Sequence, residues 1–264
     1  MLKNKLLVAA LASSFALPAL AETSPFSTNV SLTTNYLYRG ISQTGAKPAI
    51  QGGFDYANAN GVYIGAWGSS ISWLSDGYTA SAGTSGANNA GLELDTYAGY
   101  KGAAGAVSYD VGFLRYNYPG EYAPGATKAD TNEIYGAVTY SIVTAKLSYA
   151  LGDLFGVSNA KGSTYLDLSV AYPIGDTGYT LGAHYGKQTY KGSTADSLKA
   201  TYLGGVSQDP TYTDYKLSVT KDLGTGYAAS LTYSKTNAKT GGIYSVLNKD
   251  LGKGTAVVAL SRTF

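Results

Sequence analysis

Apolar and polar residues alternate along most of this chain with a period of two, in segments of about ten residues, which predicts β-strands with two unlike faces. In one such segment Leu166, Leu168, Val170 and Tyr172 fall on one face, and Tyr165, Asp167, Ser169 and Ala171 on the other. Twelve segments of this kind can be drawn: 28–40, 49–58, 62–72, 91–101, 106–118, 132–141, 143–155, 163–173, 178–190, 212–223, 227–236 and 255–264. Ten residues is the length of a tilted strand that crosses a bilayer. An even number lets both ends of the chain lie on the same side of it.

The connections divide into two alternating classes. Asn58-Ala59-Asn60-Gly61, Gly102-Ala103-Ala104-Gly105, Ser141-Ile142, Gly175-Asp176-Thr177-Gly178 and Gly224-Thr225-Gly226 are short and rich in residues that tolerate positive φ, as tight hairpin turns require. Between them stand the longer connections 41–48, 73–90, 119–131, 156–162, 191–211 and 237–254. Short turns at one end and long loops at the other are the arrangement of a transmembrane antiparallel up-and-down β-barrel, with periplasmic turns and extracellular loops. A soluble all-β sandwich has no reason to keep so strict an alternation.

The amino terminus adds a destination. Lys3 and Lys5 precede an apolar run from Leu6 to Leu17, and Ala19-Leu20-Ala21 follows as a cleavage site, so residues 1–21 are expected to be a signal peptide and 22–264 one barrel domain. Nineteen basic residues less the two leader lysines leaves 17, equal to the 17 acidic ones. A mature chain without net charge offers no electrostatic footprint for nucleic acid. There is no cysteine, so stability in an oxidising compartment must come from the hydrogen-bonded cylinder rather than from disulfides. The 25 tyrosines and 34 glycines suit aromatic girdles and a crowded interior. The carboxyl-terminal Phe264 ends the last strand on an aromatic residue, where it is expected to sit in the periplasmic girdle and to act as an assembly signal. Arg262, one step before it on the lipid face, requires that strand to end at the membrane boundary, where a lipid-facing cation costs only about 0–1 kcal/mol.

Strand parity sorts the side chains. A lipid face collects Val30, Leu32, Tyr36, Tyr38, Ile50, Phe54, Ile64, Leu94, Val111, Phe113, Leu147, Leu181, Leu217 and Leu231, nearly free of charge. The opposite, lumen face is expected to hold Arg39, Asp55, Trp67, Glu93, Asp95, Asp110, Arg115, Glu133, Lys146, Asp167, His184, Asp214 and Lys216. Buried charges demand partners, so several should pair across the barrel. Their acidic surplus argues weakly for cation preference, and the loops at 73–90 and 191–211 are candidates for narrowing the mouth.

Three motifs resemble the start of the TorF-like porins of proteobacteria: Tyr36-Leu37-Tyr38-Arg39-Gly40-Ile41-Ser42-Gln43, Pro48-Ala49-Ile50-Gln51-Gly52-Gly53-Phe54-Asp55-Tyr56 and Gly65-Ala66-Trp67-Gly68-Ser69. The likeness covers about the first third of the mature chain. It implies a porin-type role, with Arg39, Gln51, Asp55 and Trp67 inward and Arg39 pairing with Asp55 to fix register. Trp67 is expected to pack beneath a loop.

Enzymatic barrels need more than this chain supplies in sequence. A phospholipase-type site places Ser close to an activated His, and a protease-type site places His with carboxylates at the rim. The single histidine, His184, stands mid-strand with no Ser two residues away. No phosphate loop, zinc spacing or calcium loop occurs, so no catalytic residue, cofactor or metal is expected. The expected function is passive diffusion of small hydrophilic solutes or ions across a Gram-negative outer membrane. The expected partners are outer-membrane lipid and lipopolysaccharide, periplasmic chaperones, the barrel-assembly machinery and the solutes. A non-conducting barrel with a filled lumen, and a hydrolase using His184, stay open as alternatives.

Overall fold

In lipid every backbone N–H and C=O must be paired within the protein, and alternating sequence can achieve this only as a sheet closed on itself. A computed structural model describes residues 24–76, 89–122, 124, 126–246 and 249–264. Twelve strands form one closed antiparallel barrel. They are β1 (Phe26–Thr33), β2 (Ala49–Ala57), β3 (Val62–Ser70), β4 (Leu92–Ala104), β5 (Val107–Asn117), β6 (Thr131–Tyr140), β7 (Val143–Ala150), β8 (Thr164–Pro173), β9 (Tyr179–Thr189), β10 (Tyr212–Gly224), β11 (Tyr227–Thr236) and β12 (Thr255–Thr263). Each pairs with its sequence neighbours, and β1 pairs with β12 from Asn29↔Thr263 to Thr33↔Ala259 to close the cylinder. The expected leader, residues 1–21, lies outside the described residues.

The outer wall is apolar through its middle. Leu32, Ile50, Ile64, Leu147 and Leu231 all stand exposed there, and Leu217 is 65% exposed. Aromatic side chains collect at both rims, as in membrane-spanning barrels. Tyr100, Tyr109, Tyr140, Tyr172, Tyr179, Tyr227 and Phe264 are exposed near the short turns, and Tyr149, Tyr215 and Tyr233 nearer the long loops. Arg262 lies on this outer face between two rings, its guanidinium 4.3 Å from the centre of Phe264 and 4.8 Å from that of Tyr227. That aromatic wrapping shields the cation at the boundary.

Inside, tyrosines lie against the wall rather than towards the axis, and glycines make the room. A β-carbon on Gly99 would come within 2.5 Å of the Tyr63 ring, and one on Gly112 within 2.7 Å of the Tyr135 ring. Gly65 and Gly186 bear the same relation to Tyr97 and Tyr165.

Two expectations about strands are corrected. The first strand ends at Thr33 instead of continuing to residue 40, and residues 34–48 turn into the lumen, so Tyr36 and Tyr38 are enclosed there and not in lipid. Asn35 Oδ1 accepts from Ser42 Oγ at 2.7 Å, which closes this loop on itself rather than on a neighbouring strand. Likewise β7 ends at Ala150, and residues 154–157 make a local bridge.

The outer belt makes a graded test. Leu217→Lys, at mid-wall, should destabilise the barrel by about 2–4 kcal/mol, and Arg262→Leu should change it by no more than about 1 kcal/mol, measured by denaturant unfolding from lipid vesicles.

Candidate functional site: a hairpin across the lumen

Residues 34–48 leave the top of β1 and fold inward as a miniature hairpin, Leu37–Tyr38 paired with Ile41–Ser42. Its two-residue turn is Arg39-Gly40, with φ of 47° and 78°. Positive φ at both central positions is the type I′ geometry, whose twist suits a tight hairpin. Gly40 is needed twice, because a β-carbon there would also stand 2.6 Å from both Asp214 Cβ and Thr236 Cγ2, on β10 and β11.

From that turn the Arg39 side chain crosses to the other walls. Nη2 donates to Glu133 Oε2 on β6 at 2.7 Å, and Nη1 donates to Gln188 Oε1 on β9 at 2.7 Å. The guanidinium also stacks over the Tyr165 ring on β8, 4.3 Å from its centre, and over Tyr38 at 4.9 Å. Both partners of the ion pair are almost fully enclosed, at 6% and 2% side-chain exposure. The flanks of the hairpin are held as well. Tyr36 Oη donates to Glu93 Oε1 on β4 at 2.9 Å, and its ring meets Trp67 edge-on at 5.5 Å. Tyr38 Oη hydrogen-bonds Tyr116 Oη on β5 at 2.6 Å, and Ser42 N–H donates to the Leu251 carbonyl in the loop between β11 and β12. The hairpin therefore touches walls from β3 to β11 and spans the lumen.

Nearer the short turns the lumen carries a second layer. Tyr97 Oη donates to Asp55 Oδ1, and Tyr63 Oη to Asp110 Oδ1, each at 2.6 Å; Tyr63 Oη also meets Tyr135 Oη. Lys146 and Lys101 lay their ammonium groups over the Tyr135 and Tyr63 rings, 4.0 and 4.4 Å from the centres. Asp95 is buried beside Glu93 on the inward face of β4.

Several site expectations change. Arg39 pairs with Glu133, not with Asp55, because the hairpin carries it over the top of the lumen. Arg115 lies on the outer face with Val111 and Phe113, since it shares their parity; it is bound to Asp130 at 3.1 Å, near the long-loop rim. Among the described residues the lumen is narrowed by 34–48. Of the two loops expected to do so, 73–90 lies outside the described residues over 77–88, and 191–211 carries helix α1 (Ser193–Ala200) with a small hairpin at Tyr202–Leu203 and Val206–Ser207. Lys101 and Gln188 escaped the sequence reading although both fall on inward positions. The hairpin itself had one visible signal, an Arg-Gly pair and an Asn inside what otherwise reads as a thirteen-residue strand.

A family model described as a bacterial protein of unknown function, Gcw_chp, matches residues 19–264. The chain belongs to the Gcw_chp family. No curated protein matches its sequence. Among solved structures it is similar to the KdgM porin, with a TM-score of 0.52 at 10% identity over 90% of this chain and 99% of that one. It is similar also to the KdgM porin in complex with disordered oligogalacturonate, with a TM-score of 0.50 at 8% identity over 90% and 98%. Likeness at such identities establishes the fold. The Gcw_chp chain is thus a porin-like barrel, and its closed antiparallel wall, apolar belt and aromatic rims are those of a Gram-negative outer-membrane protein.

One arrangement in the lumen looks catalytic at first sight. His184 Nε2 lies 2.9 Å from Asp214 Oδ1, and Nδ1 lies 3.3 Å from Ser169 Oγ on β8, a neighbour that cross-strand register supplies where sequence spacing did not. A nucleophile, however, must give its proton to the imidazole. Here Ser169 Oγ donates to Asp167, and Asp167 Oδ1 also lies 3.2 Å from Nδ1. With a carboxylate within reach of each ring nitrogen, neither nitrogen stands free to take a proton from Ser169. Tyr165 Oη donates to Asp214 Oδ2 at 2.9 Å and completes a closed polar network.

The Arg39 clamp yields a direct expectation. Arg39→Ala leaves Glu133 buried without its cation and should cost about 3–5 kcal/mol, seen as a lower unfolding midpoint together with fast amide exchange confined to residues 36–44.

Proposed function

We propose that the protein is an outer-membrane channel for small hydrophilic solutes and ions, whose lumen is narrowed by the hairpin at 37–42. The observation that carries this reading is the combination of a polar, charge-lined lumen with a constriction that is a loop insertion, held by side chains, rather than part of the wall. An ion pair and a set of hydroxyl contacts hold this loop segment in the lumen. The porin fold of its structural neighbours and the likeness of residues 36–69 to TorF-like porins support the same reading.

Inward carboxylates at Asp55, Glu93, Asp95, Asp110, Glu133, Asp167 and Asp214 outnumber the inward cations Arg39, Lys101, Lys146 and Lys216, which favours weak cation preference. Residues 1–21 act as the signal peptide and 22–264 form the mature barrel. Phe264, exposed at the end of the closing strand, serves the barrel-assembly machinery as a signal after periplasmic chaperones deliver the chain. The lipid-facing belt contacts outer-membrane lipid and lipopolysaccharide. The closed network around His184 favours a structural role for that residue, so no chemical step is proposed.

The fully spanning hairpin favours one second reading, a barrel closed at rest. Planar-bilayer recording separates the two. The wild-type protein should give small, discrete conductance steps with a reversal potential of cation-selective sign in a salt gradient, and Arg39→Ala should enlarge the steps. Silence from both, in a protein that is folded by its heat-modifiable mobility, would reject the channel.

A further inference from the structure

Above the hairpin, at the long-loop end, residues from 35–47 and from 249–255 line an open cavity of about 240 Å³. Three lysines line it: Lys47 from the first loop, and Lys249 and Lys253 from the last. Among the described residues none of the three forms an ion pair, and one contact is made by Lys249 Nζ, to the Gly45 carbonyl at 3.4 Å. Two carboxylates, Asp250 and Asp76, share the lining and are hydrogen-bonded by neutral donors. Asp250 accepts from Thr240 Oγ1 at 2.7 Å and from the Gly252 N–H at 3.0 Å, and Asp76 accepts from Ser72 Oγ at 2.8 Å. A smaller recess of about 40 Å³ continues from the same wall, sharing Gly45, Lys47, Lys249 and Leu251, and adds Trp73. Among the described residues the Trp73 indole N–H is buried without a hydrogen-bond partner, an uncommon state for a donor.

We propose that this cavity binds an anionic saccharide, one that carries carboxylate or phosphate groups. Three exposed lysines from two loops stand against the two carboxylates Asp250 and Asp76, which leaves the lining a surplus of one positive charge and a local positive field for an anionic ligand. The volume suits a sugar-sized unit, with Asn35 and Thr255 on the wall for its hydroxyls. The inward carboxylates stand deeper, at and below the hairpin, so the cavity acts on what arrives at the mouth and the lumen on what passes. Ser42 belongs both to the cavity wall and to the hairpin, so an occupant would touch the constriction itself. The site names a solute class for the proposed channel and rests on that reading only for its consequence, since binding can be measured without transport.

The test is calorimetric titration of the folded full-length barrel in detergent with trigalacturonate, glucose 1,6-bisphosphate and the neutral trisaccharide maltotriose. At least one anionic probe should bind at least about tenfold tighter than maltotriose and weaken with added salt. Lys47→Gln, Lys249→Gln and Lys253→Gln combined should weaken it by about tenfold, and the three Arg replacements should preserve it. Binding of trigalacturonate alone assigns a carboxylate ligand; binding of the bisphosphate alone assigns a phosphate ligand, whether from a free sugar or from lipopolysaccharide. Equal binding of maltotriose, no loss in the Gln variant, or no anion binding by a heat-modifiable barrel would overturn the site. Conductance recorded on the same preparation keeps the two questions apart, because a silent barrel that binds trigalacturonate loses the channel and keeps the site.

Discussion

A guanidinium enclosed in a protein costs several kcal/mol unless a carboxylate meets it with good geometry, and Arg39 is met by Glu133 from the far side of the lumen. Around that contact the rest of the upper lumen is arranged. The type I′ turn exists so that Arg39 can stand at a tip, Gly40 exists so that the tip can rest on β10 and β11, and the aromatic rings of Tyr38 and Tyr165 close over the cation. The contact is long-range in sequence, and it joins a loop from the first hairpin of the chain to a strand in its middle. It therefore holds only when the cylinder is complete.

Much of this was legible in sequence, for a physical reason. The bilayer imposes one rule on every strand, apolar outward and anything inward, so parity alone places Leu32, Ile50, Ile64, Leu147 and Leu217 correctly. Turn chemistry adds the phase of the loops, since glycine and asparagine cluster where two strands must reverse quickly. All twelve strands come from these two regularities. The inward face obeys no such rule, because a lumen accepts tyrosine, glycine, lysine and aspartate alike.

What escaped follows from that difference. Tyr36 and Tyr38 keep the apolar parity of an outward face, yet they belong to a loop enclosed by the barrel, and period-two patterning cannot tell lipid from a protein interior. Arg115 went astray in the opposite sense. It looks like a lumen charge because charges avoid lipid, but near the rim it reaches Asp130 and the polar boundary on the outer side. The neighbour of His184 is a third case, since Ser169 reaches it through antiparallel register, and register is invisible to spacing along the chain.

The joint between the first and last strands has its own consequence. β1 and β12 share five register pairs, from Asn29↔Thr263 to Thr33↔Ala259, whereas β8 and β9 share ten. The fewest register pairs join the wall there, supplemented by reciprocal backbone bonds between Thr28 and Phe264, and the inward loop departs from that same place, with Thr34 N–H still bonded to the Val258 carbonyl. The cylinder thus has a zip rather than a uniform hoop. Any sideways parting of the wall, whether during membrane insertion or on unfolding, has its cheapest starting point there, and would slacken the root of the hairpin in the same motion.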